Sequence, residues 1–159
     1  MPYLAVSLAR TERGWTAREL DLGDVEDLDT LTDLLRDAVG DGPGPGLLLL
    51  EENDEYLAVV RVDDKGDPRV FLSDRRAVGG SEVASLLADA DLELPDPDEE
   101  SNRPAAEPAG DAGLLADLGT SGERLLVLCT EEGLLPADVL TALAEDCGFV
   151  EELEQVRGA

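Results

Sequence analysis

Histidine is missing from this 159-residue chain. Without an imidazole there is no Ser-His-Asp triad, no Cys-His dyad and no His-ligated zinc. Cysteine is scarce: Cys129 and Cys147 are the two present, and they do not form a C-x-x-C pair. Their spacing excludes thioredoxin-type redox chemistry and a cysteine-ligated metal site. Both read as small apolar side chains buried in helical segments. The aromatics are Tyr3, Trp15, Tyr56, Phe71 and Phe149, too few and too scattered for a base-stacking platform. Lysine occurs once, at Lys65, and Lys plus Arg total 12 against 38 Asp plus Glu, a formal net charge of −26. Affinity for a phosphate backbone comes from cationic contacts that release counterions, so direct nucleic-acid binding is not expected. Long apolar runs are also lacking. None approaches a membrane span, and the opening MPYLAVSLARTERGW has no basic n-region of a secretory signal. The expectation is a soluble, cytoplasmic protein.

Apolar residues make up 43% of the chain, enough for a real core at this length. Tyr3 to Arg10 alternates, with Leu4, Val6 and Leu8 on one face, and Trp15 to Leu20 returns as a second strand. In DLGDVEDLDTLTDLLRDAVG, Val25, Leu28, Leu31, Leu35 and Ala38 recur at helical spacing. Asp24 and Asp27 suit its N-terminus, and Gly40 suits its end. Leu47 to Leu50, Tyr56 to Val62 and Arg69 to Ser73 read as three short strands separated by polar turns, an antiparallel meander. Ser81 is placed to cap an expected second helix, whose apolar stripe would be Val83, Leu86, Leu87 and Ala90.

From Asp91 to Asp111 the composition changes to four prolines, eight acids and one arginine. Such a segment repels itself and buries little. Beyond it, LLADLG, GERLLVLCTEEG, PADVLTALAEDCG and FVEELEQVR all read as helical, with Pro136 placed for a first turn and Gly148 for a stop. The expected class is α+β: an N-terminal antiparallel sheet of about five strands with two helices, and a C-terminal all-helical segment. The expected organisation is residues 1–90 as the α+β domain, 91–111 as an acidic Pro-rich linker and 112–159 as the helical segment.

GPGPG, residues 42–46, invites a phosphate-loop reading. A P-loop needs a strand before it, Lys and Ser or Thr in it, and a helix after it. Here a helix precedes the glycines, four leucines follow them and no cation is near, so the segment is a helix-to-strand connector stiffened by proline. Asp63-Asp64-Lys65-Gly66-Asp67 lacks the spacing and distal glutamate of a calcium loop and reads as a hairpin turn. Paired acids such as Glu51-Glu52 and Glu131-Glu132 are expected by chance in so acidic a chain. They leave a carboxylate-only, metal-dependent activity open as the residual enzymatic reading. No catalytic, cofactor-binding or metal-binding residue is assigned, and no cofactor is expected.

The segments VEDLDTLTDLLRDAVGDGPGPGLLLLEENDEYLAVVRVDDKGDPRVFLSD, LLADLGT and LCTEEGLLPADVLTALAEDCGF, in this order and with the acidic break between them, resemble the actinobacterial family of tRNA adenosine deaminase-associated proteins. The resemblance implies association with the enzyme that converts wobble adenosine to inosine in tRNA. It carries over no catalytic residue. The zinc deaminases use H-x-E and P-C-x-x-C signatures; this chain has neither, so it is not itself such an enzyme. The resulting expectation is a non-catalytic accessory protein that meets tRNA adenosine deaminase by protein contact, through acids such as Asp96, Asp98, Glu99 and Glu100. The alternative is an acidic interaction module, or a nucleic-acid-mimicking inhibitor, for another basic partner.

Overall fold

The computed structural model describes residues 3–11, 14–20, 25–39, 45–52, 56–63, 68–74, 109–130 and 135–157. The two alternating segments at the start form β1 (Tyr3–Thr11) and β2 (Gly14–Glu19), paired antiparallel with Leu8 opposite Ala17. α1 (Leu28–Val39) follows. Its first turn is capped by Asp27, whose Oδ1 accepts the Thr30 N–H at 2.8 Å, satisfying a donor that has no intrahelical partner. Val25 packs on the core from the segment before the helix, while Leu28, Leu31 and Leu35 form the buried stripe.

The meander is present as β3 (Gly46–Glu52), β4 (Tyr56–Val62) and β5 (Arg69–Leu72). β3 also pairs with β1, which places the N-terminal hairpin beside the meander. The five N-terminal strands are joined by β6 (Ala109–Gly110), which pairs with β5, Phe71 opposite Gly110. All neighbours are antiparallel, in the order β2-β1-β3-β4-β5-β6. The connector reading of GPGPG meets this topology at Gly46, the first residue of β3. Residues 41–44, and the helix expected from Ser81, lie outside the described residues.

The four consecutive leucines are explained by what covers the sheet. Successive strand residues point to opposite faces. Leu48 and Leu50 enter one core with α1, and Leu47 and Leu49 enter a second core on the other face. All four are fully buried. An antiparallel strand with one wet face alternates, whereas one covered on both faces reads as a continuous apolar run.

The second core belongs to the C-terminal elements. After a run of turns over 112–119 come α2 (Gly122–Thr130), α3 (Pro136–Cys147) and α4 (Val150–Arg157). Leu125 and Leu128 of α2, Leu140 and Leu143 of α3 and Leu153 of α4 all share the core with Val6, Leu49 and Val59 of the sheet. Pro136 occupies the first turn of α3, where its missing N–H costs no helical bond. Gly148 ends that helix with φ +90° and donates to the Ala144 carbonyl at 2.8 Å. The result is three layers, α1 on one face of the sheet and α2–α4 on the other.

Candidate interaction surface

Buried polar groups are the usual place to look for chemistry. Here they form clasps between elements. Arg61, third in the inward row Leu57-Val59-Arg61 of β4, is buried. Its Nη1 and Nη2 donate to the two carboxylate oxygens of Asp117 at 2.5 and 2.9 Å. Nη1 also donates to the Leu114 carbonyl at 2.7 Å, and Nε to Asp63 at 3.2 Å. The planar guanidinium suits this two-pronged geometry, which a lysine would not reproduce. Its cross-strand neighbour Arg69 donates to Asp111 at 2.6 Å. Asp111 in turn accepts the Gly113 N–H at 3.0 Å. Hydrogen bonding from Arg61 holds the Asp117 carboxyl below its ordinary pKa, and hydrogen bonding from Arg69 does the same for Asp111. Together these pairs fasten the turns after β6 to the sheet.

A second clasp joins the start of α2 to the end of α3. The buried Thr120 hydroxyl donates to Asp146 at 3.2 Å, and Arg124 Nε donates to the same carboxylate oxygen at 2.5 Å. Across the layer, Trp15 Nε1 donates to the Cys147 carbonyl at 3.1 Å, and the Trp15 ring meets Phe149 edge-on at 5.2 Å. Burial pushes the Cys129 thiol up to about 12 and also raises that of Cys147. A thiol kept from ionising is a poor nucleophile. Among the described residues, no buried side-chain nitrogen or oxygen lacks a hydrogen-bond partner. Nor do these residues bring together three or more His, Cys, Asp or Glu side chains that could hold a metal ion.

The outer surfaces carry the remaining possibilities. The outward side of α1 exposes Asp29, Asp33 and Asp37, one row at four-residue spacing. α2 differs. Leu126 and Val127 face outward, 40% and 56% exposed, and Leu135 just before α3 is 52% exposed. The acids singled out from the sequence, Asp96, Asp98, Glu99 and Glu100, lie outside the described residues. Sequence reasoning missed Arg61, although an arginine at an inward position of a β-branched run was a usable signal. It also missed the outward pair on α2.

The family model described as Rv3753c-like tRNA adenosine deaminase-associated protein matches residues 3–150. The chain belongs to that family. The match runs from β1 through α3, so it takes in the sheet, α1 on one face and α2 and α3 on the other. A relative is Protein Rv3753c of Mycobacterium tuberculosis (strain ATCC 25618 / H37Rv), 34% identical over 109 residues, which is 68% of this chain and 61% of that protein. The chain therefore aligns with less than two thirds of its relative's length. No solved structure matches the chain. Among the described residues, no helix of this family member is long and apolar enough to cross a membrane.

Proposed function

We propose that this protein is a non-catalytic accessory of tRNA adenosine deaminase, acting in the cytoplasm by protein contact. The observation that carries the reading is membership of a family described as associated with that enzyme. The chemistry of the chain supports it. A net charge of −26 with no histidine suits neither the tRNA nor a zinc-bound water. An enzyme that holds tRNA must present cationic surface, and an acidic protein is its natural complement.

Asp96, Asp98, Glu99 and Glu100 contribute steering in this scheme, raising the rate of encounter more than the final affinity. Their part is tested by neutralising all four as Asn or Gln. Deleting 91–111 would also remove β6 and the Asp111–Arg69 pair. The reading as a whole is tested by size-exclusion chromatography with light scattering on this protein, the deaminase of the same organism and their mixture. A new peak holding both chains is expected. Two unchanged peaks, repeated at low salt where attraction is least screened, would overturn it.

A further inference from the structure

Helix α2 is apolar on two sides. Leu125 and Leu128 face the sheet and are buried, while Leu126 and Val127 face away from it. Glu123, Leu126, Val127 and Thr130 fall at i, i+3, i+4 and i+7, one continuous face, and all four are exposed. The Thr130 hydroxyl is turned back to the Leu126 carbonyl at 2.8 Å, which leaves the middle of this face to apolar atoms. Leu135 opens the next helix and is also exposed.

A lone exposed leucine needs no explanation. The contrast with the other helices makes these informative. The exposed positions of α1 include Asp29, Thr30, Asp33, Arg36 and Asp37; those of α3 include Asp138 and Glu145; those of α4 include Glu151, Glu154 and Gln155. Among the helix residues whose exposure is described, only those of α2 turn large apolar side chains outward.

With Arg124 paired to Asp146, the charge left on this face is acidic. Glu123 lies on it, and Asp138 stands one turn into α3, accepting the Leu135 N–H at 3.1 Å. The nearby cation, Arg124, is engaged by Asp146. An apolar centre with an acidic border is complementary to an apolar patch bordered by Lys and Arg. A protein that grips tRNA displays such basic borders, because phosphate contacts require them.

We propose that the outward face of α2, centred on Leu126 and Val127 and continued by Leu135, is the surface that docks on tRNA adenosine deaminase. The assignment rests on the accessory reading above and adds to it the place of contact. Dry apolar centres carry most of an interface's energy, and charged rims set rate and salt dependence.

The test uses the full chain and the deaminase of the same organism, with affinity read by titration. Leu126→Ser/Val127→Ser should weaken the complex about 100-fold or more. Val127→Lys should weaken it further than Val127→Ser alone, because it sets a cation against a basic border. Asp33→Asn/Asp37→Asn, on the opposite side of the sheet, should leave affinity within about threefold. Circular dichroism and the melting temperature of each variant check folding. If the double serine variant is impaired in folding, Val127→Ser and Leu135→Ser are read instead. A wild-type complex that survives the α2 and Leu135 substitutions unchanged overturns this assignment and leaves the accessory reading standing. No complex with the wild-type chain overturns both. A wild-type chain that is dimeric alone, and made monomeric by the same substitutions, assigns the face to self-association and overturns the proposal.

Discussion

Gly119→Ala is the substitution whose consequence the structure specifies most sharply. Gly119 has φ +136°, a conformation that L side chains rarely adopt. A Cβ there would stand 2.2 Å from the Asp146 carbonyl oxygen and 2.9 Å from its carbon. Both atoms are backbone, so no rotamer change relieves the clash. The backbone conformation costs about 1–3 kcal/mol, and forcing the last turn of α3 away costs about 1–3 kcal/mol more. A total near 4 kcal/mol is a large part of a typical stability of about 5–15 kcal/mol. For a chain of this size it lowers the melting temperature by roughly 8–16 °C. The displaced residues are those that hold Thr120, Arg124 and Trp15. Trp15 fluorescence therefore reports this junction directly, alongside far-UV circular dichroism. Gly148→Ala is the control. Its φ is +90°, but nothing stands within 4 Å of an added Cβ, so only the conformational cost of about 1 kcal/mol applies. A Gly119→Ala variant melting within 4 °C of Gly148→Ala would refute the argument that the close approach, beyond the backbone conformation, sets the cost (margin set by about 2–4 °C per kcal/mol).

Three further outcomes are expected. Leu49→Ala, in the second core and fully buried, should cost about 2–5 kcal/mol in chemical denaturation. Asp111 and Asp117 have carboxyls held below their unfolded values by Arg69 and Arg61. Their contribution is complete above the unfolded pKa and is lost as pH falls through the folded values. Protonating the many other acids relieves self-repulsion and acts in the opposite direction. The readout is therefore the difference between wild type and Asp111→Asn/Asp117→Asn, which should narrow as pH is lowered from about 5 towards 2. Finally, with its thiol near 12, native Cys129 should react with a thiol reagent at pH 8 at least about 100-fold slower than in the unfolded chain. Equal rates would mean that the residue is reachable in the native state.

Local features of the fold were legible because their signals are local. The stripe Leu28-Leu31-Leu35 marked α1, the run Tyr56 to Val62 marked β4 to the residue, and Pro136 and Gly148 bracketed α3. Pairing between distant elements left no such mark. β6 is two small residues inside a stretch rich in proline and acid, and it is a strand only because β5 lies beside it. The burial of Arg61 depends on Asp117, 56 residues further on. LLVLC in α2 reads as helical with Leu125, Leu128 and Cys129 together. Only the sheet against Leu125 and Leu128 reveals that Leu126 and Val127 are left outside. The acids chosen from composition lie outside the described residues, so the structure neither gathers nor separates them.

The pairing of β6 with β5 sets a boundary condition on everything between them. The chain leaves the sheet after Leu72 and rejoins the same strand at Ala109, with Asp111 N–H donating to the Val70 carbonyl at 2.8 Å. The segment between Leu72 and Ala109 therefore has both of its ends at one edge of the sheet. Closing such an excursion costs free energy that grows only with the logarithm of its length, about 0.6 kcal/mol for each doubling. Residues can be gained or lost there cheaply, whereas one residue added within β3 or β4 would reverse the facing of every side chain beyond it. A change of length or charge between Leu72 and Ala109 therefore leaves the register of the sheet fixed.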